Sequence, residues 1–140
     1  MEKKQLFRIL NFTESSEVIS FGTHLEAQHD VAVLKKPKKT LVVLKLRESA
    51  RNSLFYAGEA LACECMVAIG NIKGFAAALG DDLEKVYAMA VIDAAMNADL
   101  PEKGQILDKL GSWESKLCEK RAQDSKIAMS TKVNFNIMEE

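Results

Sequence analysis

The chain has 140 residues, a hydrophobic fraction of 48% and a formal charge of −1, from 19 basic and 20 acidic residues. This length favours a single domain over residues 1–140 with a core of its own, and the composition argues against disorder. The balanced charge argues against a protein that grips nucleic-acid backbones, which would carry a basic excess. No secretory leader and no apolar run of roughly 20 residues is recognisable, and the three cysteines form an odd number, so we expect a cytoplasmic protein with reduced thiols.

Two short helices are predicted at the N terminus. Apolar residues at helical spacing place the first over residues 2–12. The hydroxyls of Thr13, Ser15 and Ser16 are candidate N-caps for a second helix that runs to about Gln28. Gly22 would lie inside that helix at a cost of about 1 kcal/mol relative to alanine.

Four strands are predicted next. Residues 31–34 and 41–46 are rich in β-branched side chains and flank the sequence KKPKK, which we place at a hairpin tip because Pro37 cannot lie in a central strand. Residues 61–69 and 72–79 flank Gly70-Asn71, a pair that accepts the positive φ of a two-residue hairpin turn.

A central helix is predicted after Gly80, where the apolar period changes from strand to helix. Asp81 is placed to cap this helix, and Glu84 lies three residues on, as in a capping box. Residues 83–96 are apolar around most of the cylinder, so the helix is either deeply buried or shared with a partner protein. We favour the partner, because one sheet face of a small domain would not cover so much apolar surface.

A long C-terminal helix is predicted from Pro101, in its first turn, to about Met129. Alternating apolar and polar residues over 133–137 predict a final, half-buried strand. Together these elements predict an α+β fold in which an antiparallel sheet of four to five strands packs with N-terminal, central and C-terminal helices.

Cys63 and Cys65 are the one pair that resembles a metal or redox site. Two residues apart on a strand, both thiols would face the same side. A closed zinc site needs four ligands, and Cys118 is the only other thiol, so buried core residues are the more common explanation. We assign no metal ligand.

The basic cluster that runs from Lys35 to Lys39 could bind a polyphosphate or nucleic acid, and we keep such a binding module as the alternative function. No aromatic residue lies between the lysines to stack on bases, so nucleic acid is an improbable partner. A solvated turn whose lysines discourage strand pairing is the more common explanation. The glycines at 70, 74 and 80 match no phosphate-binding motif.

Glu59, Glu64, Asp93 and Arg121 are charged residues among apolar neighbours. The three acids could form a cryptic acid–base site. No nucleophile with a base and an orienting group stands near them, so we assign no catalytic residue. Salt bridges in a core or an interface are the more common use of such charges.

The sequence resembles the PhnG family, small subunits of the bacterial carbon–phosphorus lyase system for organophosphonates. The resemblance covers about two-thirds of the chain, from near Leu41 to Met138, and no single element of it is diagnostic. An aromatic residue, a glycine-acid pair and a polar strand position are matched by Phe55, Gly58, Glu59 and Glu64. A glycine-bearing strand, a G-x-D helix start and an I-D-A helix motif are matched by Gly74, Gly80, Asp82, Ile92, Asp93 and Ala94. Arg121 and a closing T-K-V-N-F…M motif follow, at Thr131, Lys132, Val133, Asn134, Phe135 and Met138.

The resemblance implies a subunit rather than a self-sufficient enzyme. Its implied partners are other carbon–phosphorus lyase core subunits, chiefly a larger nucleosidase-like subunit. With an ATP-binding-cassette-type protein, such a core replaces the adenine of MgATP with an alkylphosphonate to give an α-D-ribose 1-alkylphosphonate 5-triphosphate. MgATP would be the substrate of the whole complex, and this chain alone would bind no cofactor. The family carries no catalytic residue to transfer, so the matched positions are candidate interface or structural residues: Gly58, Glu59, Glu64, Gly74, Gly80, Asp82, Asp93, Arg121, Thr131 and Lys132.

Overall fold

The computed structural model describes residues 1–133, which form four helices and three strands. In chain order these are α1 (Lys3–Phe12), α2 (Ser15–Glu26), β1 (Val31–Arg47), β2 (Leu54–Ile69), β3 (Ile72–Leu79), α3 (Leu83–Asn97) and α4 (Lys103–Ser130). The predicted α+β class is confirmed, and so are the N-terminal, central and C-terminal helices. The strand predicted over residues 133–137 falls, beyond its first residue, outside the described part of the chain.

The sheet within the described residues has three antiparallel strands in the order β1-β2-β3, not four to five. The predicted break at KKPKK is wrong, because residues 31–47 form one continuous edge strand and the lysines do not lie at a hairpin tip. An edge strand tolerates Pro37, whose missing N–H need not bond to a neighbour. Register shifts between Val33 and Lys35, and between Lys35 and Lys38, absorb the extra residues in β1.

The predicted β2–β3 hairpin is confirmed around the turn at Gly70-Asn71. Ile69 pairs with Ile72, and Gly70 has a φ of +58°, which glycine adopts without strain. β2 is longer than predicted, since it begins at Leu54 rather than near residue 61.

Helix α3 forms the centre of the core. It packs against β2 and β3 on one side and against α2 and α4 on others, and nearly all of its residues from Lys85 to Ala95 are buried. The chain's own elements therefore cover the broad apolar surface of this helix. The expectation that a partner protein covers it is wrong, because α2 and α4 supply the surface that the sheet alone lacks.

Gly74 lets α3 approach the sheet closely. A Cβ atom at this position would lie 2.6 Å from Ala94 Cβ and closer still to the backbone of Ala90 and Ala94. At the same crossing, the Asp93 carboxylate accepts a hydrogen bond of 3.0 Å from the Phe75 N–H. Asn97, one turn further along α3, donates from its side chain to the Lys73 carbonyl at 3.0 Å. Side chains of α3 thus form hydrogen bonds with backbone groups along the outer edge of β3.

The helix α3 begins one residue later than predicted. Its N-cap is Asp82, whose carboxylate accepts a 3.0 Å hydrogen bond from the Lys85 N–H, and the proposed Asp81 cap is wrong. Gly80 has a φ of +97°, and this conformation turns the chain from β3 into the helix. Because that turn places the first helical residue at Leu83, the side chain of Asp81 instead lies 3.5 Å from the Lys39 ammonium.

The predicted hydroxyl cap of α2 is also wrong. The N-cap residue is Glu14, and its side chain makes no capping bond. The Thr13 hydroxyl donates instead to the Ile9 carbonyl at 2.8 Å, which closes the preceding helix α1. Gly22 does lie inside α2, where a Cβ would approach Ala88 Cβ to 2.5 Å, so close packing on α3 explains this glycine.

Candidate interaction surface

A two-stranded ribbon extends beyond the part of the sheet that the helices cover. We call it the β1/β2 arm; it comprises residues 40–47 of β1, the loop 48–53 and residues 54–61 of β2. Many of its side chains are both apolar and exposed, with Leu41 60%, Leu46 54% and Tyr56 70% accessible. Further exposed apolar residues of the arm are Val42, Val43, Leu44, Leu54, Phe55 and Leu61. Because side chains alternate along a strand, the arm presents apolar surface on both of its faces.

The arm contrasts with the other end of the same strand. Cys63, Cys65 and Val67 of β2 are fully buried, whereas every residue from 54 to 59 is exposed. β3 pairs with β2 only as far as Ala62, so the arm has no third strand among the described residues. A two-stranded ribbon is marginally stable in water on its own, and large exposed apolar patches mark binding sites.

The tip of the arm has a defined backbone structure. The Glu48 carboxylate accepts hydrogen bonds from the N–H groups of Ala50 at 2.8 Å and Arg51 at 2.6 Å. These backbone donors lower the pKa of Glu48. Asn52 adopts a φ of +55°, and its carbonyl accepts a 2.9 Å bond from the Arg47 guanidinium. The arm is therefore presented as an ordered ribbon.

Gly58 lies at a β-bulge in the middle of the arm. Leu44 pairs with Gly58 and Lys45 pairs with Tyr56, which leaves Ala57 as an extra residue in β2. Gly58 has a φ of +149°, and an added Cβ would meet no atom within 4 Å, so the backbone conformation is what requires glycine here. Bulges bend and twist a ribbon, so this one sets the direction of the arm.

Glu64 of β2 pairs with lysines of the basic cluster on the neighbouring strand β1. Its Oε1 atom lies 2.7 Å from the Lys35 ammonium and 3.5 Å from the Lys38 ammonium. The hydrogen bond from Lys35 is the main reason that the pKa of Glu64 is lowered. Since Lys39 pairs with Asp81, three of the four lysines have acidic neighbours. The salt-bridge interpretation of Glu64 is confirmed.

The two neighbouring cysteines are core residues, as the more common explanation held. Cys63 and Cys65 are fully buried, and burial raises the pKa of Cys65 to about 11. Cys118 lies apart from them on the exposed surface of α4. Within residues 1–133, no group of three or more histidine, cysteine, aspartate or glutamate side chains is placed to hold a metal ion.

The three candidate acids lie apart from one another in the structure. Glu59 is exposed on the arm, where its Cα pairs with that of Val43. Asp93 is 1% exposed, and both of its oxygens lie 3.3 Å from the Lys3 ammonium of α1. Glu64 of β2 pairs with Lys35 and Lys38 of β1, so Asp93 and Glu64 stabilise different contacts. The structure does not assemble them into one acid–base site.

Of the motif residues near the C terminus, Arg121 lies in the second half of α4, in which every residue from 118 to 130 is exposed, and Thr131 and Lys132 follow the helix. The Arg121 guanidinium lies 5.5 Å from the centre of the Phe12 ring, a cation–π contact with α1. The Thr131 hydroxyl donates to the Ala128 carbonyl at 3.0 Å, and the Lys132 N–H donates to the Met129 carbonyl at 3.3 Å. Thr131 and Lys132 thus end the helix; Asn134, Phe135 and Met138 lie outside the described residues.

The apolar residues of the arm are what the sequence interpretation missed. It placed residues 41–46 in a hairpin of the core sheet and read residues 55–59 only as a motif. A signal was available in Leu41-Val42-Val43-Leu44, which lacks the polar alternation of an edge strand that faces water on one side. Four successive apolar residues on an edge strand indicate surface that another molecule covers.

Comparison with known proteins gives one family. The family model described as "Phosphonate metabolism protein PhnG" matches residues 1–139 and so includes the first forty residues, which the sequence resemblance left out. No curated protein matches the chain. Among the helices described, none is both long and apolar enough to cross a membrane. The chain therefore belongs to the PhnG family of phosphonate metabolism proteins over nearly its whole length.

Proposed function

We propose that this chain is an accessory subunit of the phosphonate carbon–phosphorus lyase core complex and has no active site of its own. The complex would transfer an alkylphosphonate onto MgATP with loss of adenine, giving an α-D-ribose 1-alkylphosphonate 5-triphosphate. The chain would hold and stabilise the subunit that performs this step, chiefly the nucleosidase-like one, in the cytoplasm. MgATP would be a substrate of the whole complex rather than a cofactor of this chain.

The exposed β1/β2 arm is the observation that carries this proposal. It leaves nine large apolar side chains in water. Burying a single leucine, valine or phenylalanine stabilises a protein by about 1.5–3 kcal/mol, so covering the arm provides ample free energy for association. A protein that worked alone would have little reason to keep such a surface, whereas a subunit needs it.

The separate roles of the acidic residues also support an accessory subunit. Asp93 binds the outer edge of β3, and Glu64 binds the lysines of β1. Both carboxylates are thus engaged in contacts within the chain. The alternative of a polyphosphate- or nucleic-acid-binding module has less support, because Lys35, Lys38 and Lys39 are already paired with acids.

Co-expression with the nucleosidase-like subunit tests the proposal. With a tag on that subunit, we expect this chain to co-purify in a fixed ratio. We also expect release of adenine from MgATP and an alkylphosphonate by the reconstituted core to require this chain. A chain that is monomeric, well folded and absent from the purified partner would refute the proposal, as would full adenine release without it.

A further inference from the structure

The two outer edges of the sheet differ in the structure. At the β3 edge, the Phe75 N–H and the Lys73 carbonyl are bonded to side chains of α3. At the β1 edge, no strand among residues 1–133 pairs with the outward backbone groups. Open edges recruit further strands, and proteins guard them with charges, prolines and bulges.

The features of β1 that discourage strand pairing lie only in its first half. The proline, both register shifts of β1 and four of its basic residues lie between residues 33 and 39. From Thr40 to Arg47 the strand has no inserted residue of its own. Its four successive apolar residues, Leu41 to Leu44, contain no charge or proline that would discourage pairing. The half of β1 that belongs to the arm is therefore the half that is open to pairing.

The direction of the free backbone groups follows from the turn that closes the arm. The Glu48 N–H donates to the Ser53 carbonyl at 3.1 Å, so residue 48 points towards the neighbouring strand. Backbone directions alternate along an antiparallel strand, so the even-numbered residues from 40 to 46 bond to β2. The odd-numbered residues Leu41, Val43, Lys45 and Arg47 then direct their N–H and carbonyl groups outward.

The charge of β1 selects the kind of strand that fits this edge. The strand carries six basic residues and no acidic residue among its seventeen. Glu64 and Asp81 partner three of the lysines in its first half, so among the described residues Lys36 and, in the arm, Lys45 and Arg47 have no acidic partner. A second copy of β1 would bring basic side chains against basic side chains. A strand with acidic side chains would complement them, since opposite charges across strands stabilise pairing.

We infer that residues 40–47 of β1 bind, by strand addition, an extended segment of another polypeptide that carries acidic side chains next to apolar ones. The added strand bonds to the outward groups of Leu41, Val43 and Lys45, and its apolar side chains extend the faces of the arm. This inference rests on the proposed function, because it specifies how a partner subunit binds.

Amide hydrogen exchange distinguishes strand addition from packing on a face of the arm. In the free chain we expect slow exchange at Val42, Leu44 and Leu46 and fast exchange at Leu41, Val43 and Lys45. In the complex with the tagged nucleosidase-like subunit, the second group should slow by at least about a hundredfold, as amides do when they enter a strand pair. Exchange can be quenched in the complex and read by NMR after dissociation.

Substitutions test the same contact by affinity. Val43→Pro removes an outward N–H and should weaken partner binding by at least about tenfold, whereas Val43→Thr keeps the N–H and should stay within about threefold. Lys45→Glu should weaken binding by about tenfold, while Lys73→Glu at the far end of the sheet serves as its matched control and should have little effect. Val43→Pro can also disturb the arm itself. If it does, the exchange measurement on the unsubstituted chain decides whether strand addition occurs.

The outcomes separate this inference from the proposed function. Failure of the unsubstituted chain to bind its partner refutes the proposed function. Binding with fast exchange still present at Leu41, Val43 and Lys45 refutes strand addition alone. Slow exchange at these amides in the free chain also refutes it, because the edge would then be paired within the chain or with a second copy. Unchanged affinity of Lys45→Glu would refute the acidic character of the added strand.

Discussion

The substitution Gly74→Ala tests how α3 is held against the sheet. The added methyl group would lie 2.6 Å from Ala94 Cβ and closer still to the Ala90 carbonyl oxygen, whereas ordinary contact begins near 3.4 Å, so helix and strand would have to separate by at least about 0.8 Å. Neither side can yield locally, because the nearest atoms belong to backbone or to a Cβ. Overpacking of this kind costs about 1–3 kcal/mol, and a gap of this width forfeits a quarter to a half of the dispersion attraction across it.

Separation would also lengthen the 3.0 Å hydrogen bond from the Phe75 N–H to Asp93, which is buried. Hydrogen bonds to charged groups contribute about 1.5–3 kcal/mol. We therefore expect Gly74→Ala to lower the free energy of unfolding by about 4 kcal/mol, and Tm by more than about 10 °C for a chain of this size.

Urea and thermal unfolding, followed by far-UV circular dichroism and by the fluorescence of the single tryptophan, Trp113, measure both quantities. Gly111→Ala is the matched control, because an added Cβ there meets no atom within 4 Å inside helix α4. That substitution should stabilise the chain by up to about 1 kcal/mol. A loss below about 1 kcal/mol for Gly74→Ala would refute the close-packing explanation.

Three further predictions concern the helix start, the arm and the thiols. Asp82→Ala should lower the free energy of unfolding in urea by about 1 kcal/mol and Asp81→Ala by much less, and equal losses would contradict the cap assignment. The pKa of Glu48 is lowered from its ordinary 4.5, so its ionised form stabilises the tip of the arm above that pH, and the stabilisation is lost as pH falls through the lowered value. The NMR shifts of the loop amides should follow this titration, and in Glu48→Gln the same amides should show no such titration. A titration that survives the substitution would contradict the role given to the Glu48 carboxylate. A thiol reagent should label Cys118 alone in the folded chain and all three cysteines in urea, and labelling of a second thiol without urea would contradict the burial of the other two.

Local signals predicted the parts of the fold that depend on neighbouring residues. Gly70-Asn71 specified the β2–β3 turn, and the change of period after Gly80 specified α3, because a turn and a helix start are determined within a few residues. The cap was misplaced by one position since Asp81 and Asp82 are chemically equivalent in sequence. In the structure the chain turns at Gly80, which has a positive φ, and it is the second of the two carboxylates that meets the helix.

Other features depend on distant parts of the chain and had no local signal. Pro37 and its flanking lysines have the composition of a turn, and the strand continues through them only because β2 runs alongside and the outer edge is free. The role of Asp93 depends on the approach of β3 and of Lys3, which lies ninety residues away in sequence. Likewise, the cover that α2 and α4 give to α3 could not be read from α3 itself.

The central claim is that the β1/β2 arm binds a partner subunit. Leu44→Asp places a charge in the middle of the arm, and Asn71→Asp places the same charge in the turn at the opposite end of β2. The decisive measurement is the affinity of each variant for the tagged nucleosidase-like subunit. We predict that Leu44→Asp lowers it at least about a hundredfold, as expected for a buried charge, and that Asn71→Asp leaves it unchanged. Equal affinities for the two variants, with both folded, would contradict the claim.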